Sequence, residues 1–147
     1  MRLLQLARGE TLRRASNHEE RELRLDSLRR LVDAFVHDLA LLLAGHTTRF
    51  EHTATPEVAD RLRFAVAPFL ENGEVLRIDF GTFAELRIDG NLDDASSVRA
   101  LLEFDDRCLR QRAHGRALGS AKRRVRLILN IDQSAHLIDD CSVAITQ

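Results

Sequence analysis

The residue best suited to chemistry in this sequence is an aspartate close to the C-terminal end. Asp139 lies in the segment LIDDCSVAIT, whose apolar residues alternate with polar ones as in a half-buried strand. On a regular strand Asp139 shares the face of Leu137 and Cys141, which we predict to be the inner face. A carboxylate there would be a pocket acid or base, or the buried partner of an arginine. A bulge at Asp139 and Asp140 would instead turn both outward.

Three other residues are candidates to act with this aspartate. His46 and His52 flank a segment rich in Thr and Phe, and a histidine at a pocket mouth can act as a base. Asp79 belongs to the triplet Arg-Ile-Asp that recurs at residues 87–89. Such triplets also form cross-strand ion pairs on a solvated face. The predicted catalytic set is therefore Asp139, with His46, His52 and Asp79 as neighbours.

A basic segment stands apart from the rest of the chain. Residues 107–126 include eight basic residues and no acid, although the net charge of the whole chain is −1. These charges could bind an acidic protein surface or phosphates, or form a solvated strand face paired with acids. Because the segment lacks aromatic residues for base stacking, we do not expect nucleic acid as a partner. The predicted partner-binding residues are Arg107, Arg110, Arg112, Arg116, Lys122, Arg123, Arg124 and Arg126.

Helical periodicity dominates the first half of the chain. We interpret residues 1–16 as an N-terminal extension interrupted by Gly9, and residues 17–147 as one domain whose first helix is capped at Ser16 or Asn17. That helix should end at Gly45, and a short strand is predicted over 46–52. A second helix begins at Thr55-Pro56-Glu57 and ends at Asn72-Gly73. Its predicted stripe is Leu62, Ala65, Val66, Phe69 and Leu70; that of the first helix is Leu25, Leu28, Val32, Phe35, Leu39 and Leu42.

The apolar period changes to two near residue 73. Strands are predicted at about 74–80, 82–89, 96–105, 122–132 and 135–146, with a flexible loop over 114–120. Helices followed by antiparallel strands predict an α+β fold with the helices packed on one face of a curved sheet.

This order of elements resembles the nuclear transport factor 2-like (SnoaL and ketosteroid isomerase-like) superfamily over residues 20–146. The segments LRIDGNLDDASSVRALLEFD and RRVRLILNIDQSAHLIDDCSVAI are similar to its two central strands and its paired last strands. The resemblance implies a cone-like fold, a homodimer formed through the sheet, and a carboxylate or histidine that moves a proton in a dry pocket. Where the family commonly has Trp-x-Ile this chain has AHLI, and no tyrosine is present to serve as oxyanion donor.

A second, local resemblance covers about 20 residues. The segment LENGEVLRIDFGTF is similar to the helix-to-hairpin corner of HU/IHF-type histone-like proteins. In that family the next segment is a DNA-embracing arm rich in arginine and carrying a proline. Here the next segment, 85–94, is acidic and has no proline.

Composition narrows the class of protein. With 147 residues, 44% of them hydrophobic, the chain can bury a core without disulfides, so we expect Cys108 and Cys141 to be free thiols. No stretch approaches the ~20 apolar residues of a membrane span. We expect a cytoplasmic protein without a cofactor or a metal.

The sequence is compatible with two main classes of function, and a third class is less favoured. The first is a non-catalytic or weakly catalytic interaction or assembly module of the nuclear transport factor 2-like type. It would form a homodimer, bind an acidic partner protein, and could hold a small hydrophobic ligand in a pocket. The alternative is an isomerase, dehydratase or hydrolase acting on a small hydrophobic substrate by carboxylate and histidine acid–base catalysis. The third is histone-like DNA binding.

Overall fold

Within the residues that it describes, the computed structural model contains two α-helices followed by five β-strands. These residues are 2–77, 85–90, 92, 97–112 and 117–146, with side chains described over 18–75, 87–90, 92, 97–103 and 125–144. The helices are α1 (Arg2–Leu43) and α2 (Pro56–Glu71). The strands are β1 (Glu74–Arg77), β2 (Glu85–Asp89), β3 (Ser97–Arg112), β4 (Ala117–Asp132) and β5 (Leu137–Thr146). This order confirms the predicted α+β class.

The long helix α1 packs through its C-terminal half. Its predicted stripe is confirmed, because every member is buried or half-buried. The helix ends at Gly45, which has φ 91°: the Gly45 N–H donates to the Leu42 carbonyl and the His46 N–H to the Leu41 carbonyl. The predicted cap at Ser16 or Asn17 is wrong, since α1 continues through these residues and through Gly9. A helical glycine costs only about 1 kcal/mol relative to alanine.

The helix α2 begins and ends where the sequence predicts. Thr55 is its N-cap, Pro56 its first residue and Asn72 its C-cap. Of its predicted stripe Val66 is buried and Leu62 and Leu70 pack against the core, but Ala65 and Phe69 are exposed, so the stripe is wrong at these two positions. The helix instead buries Val58 and Ala59 of its first turn.

The loop between the two helices does not contain the predicted strand over 46–52. Phe50 adopts φ 56°, and its carbonyl accepts from the N–H groups of Thr53 and Ala54, which makes a turn. The pairing with the sheet occurs just after this turn, where Ala54 forms a parallel bridge with Ile138. The side chains of Phe50 and Phe35 pack with ring centroids 5.8 Å apart, which holds the loop against α1.

The sheet is antiparallel and centred on a long hairpin. Its strand order is β1-β3-β4-β5, and β2 pairs with the same side of β3 as β1 does. Strand β4 begins at Ala117, so the predicted loop over 114–120 is wrong for 117–120. Pairing from Cys108↔Ala121 to Gln111↔Ala117 extends this hairpin past both predicted strand ends.

The hydrophobic core lies between the helices and one face of the sheet. Its largest fully buried side chains include Phe35 of α1, Leu102 of β3 and Leu129 of β4. Because successive residues alternate between the two faces, the intervening positions of β3 and β4 lie on the opposite face. We call that opposite face the open face; its described residues include Arg87, Asp89, Arg99, Leu101, Glu103, Arg126, Ile128, Asn130, Asp139, Asp140 and Ser142.

Candidate functional site

A β-bulge moves Asp139 away from the core. Asn130 pairs with Asp140 and Ile131 with Ile138, so Asp139 is the extra residue between the two pairs. The inserted residue shifts the alternation of β5, which places Cys141 against the core while Asp139 and Asp140 line the open face. The predicted shared inner face of Asp139, Leu137 and Cys141 is therefore wrong. The outward-turning bulge is the alternative that the structure contains.

The Asp139 carboxylate lies in a polar depression of about 410 Å³ on the open face. The Asn130 side-chain amide donates to Asp139 Oδ1 at 2.6 Å. The depression is lined by Arg99, Ile128, Asn130, Asp139, Asp140 and Ser142. It thus offers both signs of charge, an amide and a hydroxyl around one apolar side chain.

Asp140 closes this depression at the β5 side. Its carboxylate accepts a hydrogen bond at 2.9 Å from the guanidinium of Arg61, which reaches it from α2. That bond and the Cys141 N–H hold the pKa of Asp140 below its ordinary value. Asp140 is therefore a carboxylate fixed in its charged form rather than a proton donor.

The opposite end of the depression is formed by Arg99 on β3. This exposed guanidinium forms no hydrogen bond or ion pair with any other described residue. A second, smaller depression of about 140 Å³ is lined by Arg87, Leu101, Glu103 and Arg126. There Arg126 Nε donates to Glu103 Oε1 at 2.8 Å, and Arg87 pairs with Asp89 at 3.1 Å. Among the open-face arginines with described side chains, Arg99 is thus the one without a described ion pair, and the β2–β3 register places Asp89 directly opposite it.

The two histidines of the predicted catalytic set are not among the described residues that line the depression around Asp139. His46 and His52 are exposed in the loop before α2, and neither forms a hydrogen bond or ion pair with Asp139. Asp79 lies outside the described residues. His136 of the β4–β5 turn contacts the first helix instead: its Nε2 lies 3.5 Å from Ser27 Oγ on α1.

Of the predicted basic set, only Arg126 has a described side chain, and it pairs with Glu103. The backbone register places Arg124 opposite Asp105, Arg123 opposite Asp106 and Lys122 opposite Arg107. Arg116 lies outside the described residues, as do the side chains of Arg107, Arg110, Arg112, Lys122, Arg123 and Arg124.

The sequence-based reasoning missed the residues that surround Asp139. Arg99, Asn130 and Ser142 come from three different strands, and only the register of β3, β4 and β5 brings them together. Alternation along each strand would have placed Arg99 and Asn130 on a polar face, but not beside each other.

Neither a metal site nor a membrane span occurs in the described part of the chain. No three His, Cys, Asp or Glu side chains there are grouped so that they could hold an ion. No helix among these residues combines the length and apolar character needed to cross a bilayer.

Comparison with known proteins gives one structural similarity. No protein-family model and no curated protein sequence matches this chain. One similar solved structure is the solution NMR structure of a de novo beta-sheet design protein, 11% identical in sequence. The alignment covers 82% of this chain and 90% of that chain with a TM-score of 0.48, which is too low to assign a shared fold.

Proposed function

We propose that this chain is a non-catalytic interaction module of the nuclear transport factor 2-like type, which binds a protein through the open face of its sheet. The observation that carries the proposal is the position of Asp139. It lies beside Arg99, Ile128 and Asn130 on the open face, and not in the core. Half-buried apolar residues surrounded by a polar rim are the arrangement found in protein interfaces, and Ile128 and Leu101 are such residues on the open face.

Acid–base catalysis at Asp139 has less support from the geometry. A catalytic carboxylate works in a closed site, where burial raises its pKa and water is excluded. Asp139 instead lines an open depression, and its neighbours are too polar for a small hydrophobic substrate. On the helix side of the sheet, Phe35, Leu129 and Ile138 pack together with almost no exposure.

The order of elements supports the choice of superfamily. Two helices precede an antiparallel sheet that covers them with one face, as the resemblance requires. Proteins of that kind are expected to pair through the sheet face left open by the helices. The cone-like curvature of the sheet and the membership itself are part of the proposal.

The proposal is tested by an acidic substitution at the centre of the open face. Ile128→Asp should abolish both the self-association of the purified protein in sedimentation velocity and its binding to proteins captured on an immobilised copy. Phe64→Asp is the control, because Phe64 is 84% exposed on α2. Assembly that survives Ile128→Asp would contradict the proposal. A turnover that Asp139→Asn abolishes would favour the enzyme alternative.

A further inference from the structure

The strand register places several basic residues of the long β3–β4 hairpin directly opposite acids. These pairs are Arg112 with Glu74, Arg123 with Asp106, Arg124 with Asp105 and Arg126 with Glu103. Arg107 and Lys122 are instead directly opposite each other. Like charges at directly opposite positions destabilise a sheet, and an anion bound by both of them removes that repulsion. The pair therefore marks a position on the hairpin that favours an anion.

Strand β1 brings a third cation close to this pair. Arg77 is opposite Leu109, which lies two residues after Arg107 on β3. Residues two apart on a strand share a face, and Arg107 is four residues from Glu103, so the three cations lie on the open face. Directly opposite Cα atoms are about 5 Å apart and diagonal neighbours about 7–8 Å apart. An anion over Arg107 is thus within the span of long basic side chains on both neighbouring strands.

We propose that Arg77, Arg107 and Lys122 form a binding site for a phosphate monoester, at the end of the open face remote from Asp139. A phosphate monoester carries close to two negative charges at pH 7 and has three acceptor oxygens. Cations on three adjacent strands match that charge and that number of oxygens. A carboxylate has a single charge and two oxygens, so it would leave one cation unmatched.

The nearest acids along β3 on this face are placed beside other arginines. Asp105 lies two residues before Arg107, and the register places Arg124 directly opposite Asp105. The next acid on this face is Glu103, which forms an ion pair with Arg126. Neither acid is directly opposite a residue of the proposed site, so the site keeps its positive charge.

Two other acids enter this charge balance. Glu85 on β2 is opposite Glu103, roughly 13 Å along the strands from the level of Arg107. That separation exceeds the Debye length of about 8 Å at physiological ionic strength, so salt screens most of its effect. Asp79 follows two residues after Arg77 and lies outside the described residues, so its contribution has to be measured by substitution.

The inference goes beyond the proposed function. The level of Ile128 lies roughly 20 Å along the strands from that of Arg107. Binding of a protein around Ile128 and binding of an anion at Arg107 are therefore separate events, and either can be lost without the other.

Calorimetric titration of the full-length protein with inorganic phosphate at low ionic strength tests the site. Arg77→Gln, Arg107→Gln and Lys122→Gln should each weaken phosphate binding by about tenfold or more, because each removes a charged hydrogen-bond donor. Arg123→Gln is the matched control. It makes the same charge change at a residue on the other face, opposite Asp106, and should leave the affinity nearly unchanged. Asp79→Asn removes an acid and should not weaken binding.

Thermal unfolding of the same variants shows that they fold and gives an independent readout. Without phosphate, Arg107→Gln should raise Tm, because it removes the repulsion between directly opposite like charges. Phosphate should raise the Tm of the wild-type protein and of Arg123→Gln, but not that of Arg107→Gln.

Two phosphorylated probes distinguish the sources of the phosphate. A phosphoserine tripeptide that binds more tightly than glucose 6-phosphate assigns the group to a modified protein. The reverse order assigns it to a small phosphate ester, and either order supports the site.

Three results would overturn the inference. The first is phosphate binding that is unchanged in Arg107→Gln or Lys122→Gln, or that Arg123→Gln weakens equally. The second is a wild-type protein that binds no phosphate at millimolar concentration; if Ile128→Asp still abolishes association, the proposed function stands. The third is a short DNA duplex that binds far more tightly than phosphate and is lost with Arg124→Gln as well, since this pattern indicates a nucleic-acid surface.

Discussion

Two buried threonines in the loop between α1 and α2 provide a matched test of how this fold satisfies its polar groups. Thr48 is 8% exposed and Thr53 is 5% exposed. The Thr53 hydroxyl donates to Asp38 Oδ2 at 2.9 Å, whereas the Thr48 hydroxyl has no hydrogen-bond partner among the described residues. The backbone at Thr48 is held independently, because Arg63 Nη2 donates to its carbonyl at 2.9 Å. Valine in place of either threonine keeps the shape and replaces the hydroxyl by a methyl group of similar size.

The two substitutions should change the free energy of unfolding in opposite directions. A buried hydroxyl without a partner costs about 1–3 kcal/mol, so Thr48→Val should raise the free energy of unfolding by about 1 kcal/mol. For a domain of this size that corresponds to a rise of roughly 2–4 °C in Tm. Thr53→Val removes a donor to the half-buried carboxylate of Asp38. Hydrogen bonds to charged groups contribute about 1.5–3 kcal/mol, so this variant should lose at least about 1.5 kcal/mol.

Urea denaturation followed by circular dichroism measures both changes, provided that the m-value stays constant. Thr53→Ser is the control for lost packing, because it keeps the hydroxyl that donates to Asp38. If Thr48→Val destabilises the protein as much as Thr53→Val does, the Thr48 hydroxyl has a partner and the reasoning is wrong.

Three further predictions concern the sheet and its turns. Because the Arg61 guanidinium holds the pKa of Asp140 below its ordinary value, the pair stabilises the folded protein above that ordinary value, and the stabilisation is lost as the pH falls through the lower folded pKa. Asp140→Asn should therefore flatten the acid limb of stability against pH, and an unchanged limb would contradict this. Burial raises the pKa of the Cys141 thiol to about 11. In a Cys108→Ser background, iodoacetamide at mildly alkaline pH should therefore alkylate the folded protein far more slowly than the urea-unfolded protein. Equal rates of alkylation would refute this prediction. Gly90→Ala should lower the free energy of unfolding by about 2 kcal/mol or more in urea denaturation. The reason is that Gly90 has φ 134° and an added Cβ would lie 2.9 Å from Val98 Cγ1. An unfolding free energy that is unchanged within error would contradict this prediction.

The helical half of the fold could be predicted from the sequence because its signals are local. The apolar stripe ending in Leu39 and Leu42, the stop at Gly45 and the cap at Thr55 each depend on a few neighbouring residues. The same local reasoning failed at Gly9. A glycine destabilises a helix by less than the hydrogen bonds on either side of it stabilise the helix. The presence of a glycine therefore does not by itself decide whether the helix ends.

The site could not be predicted because it depends on one inserted residue and on strand register. Alternation assigns Asp139 to a face only if every residue of β5 is paired, and the bulge breaks that assumption. No sequence pattern around Asn130 or Arg99 indicates that Asp139 lies beside either residue. Their proximity follows from pairings that were fixed elsewhere along β3, β4 and β5, where the apolar face is buried.

The beginning of β5 also explains how this sheet limits unwanted strand addition. The Ile138 N–H donates to the Thr53 carbonyl and the Ile138 carbonyl accepts from the Thr55 N–H, so the backbone groups that an incoming strand would use are occupied. Next along the edge, Asp140 accepts from the Cys141 N–H and holds the Arg61 guanidinium beside it. A foreign strand can therefore begin to pair only near Val143, within a few residues of the end of β5. The occupied first part of β5 thus disfavours, on this side of the sheet, the edge-to-edge pairing that leads to amyloid-like aggregates.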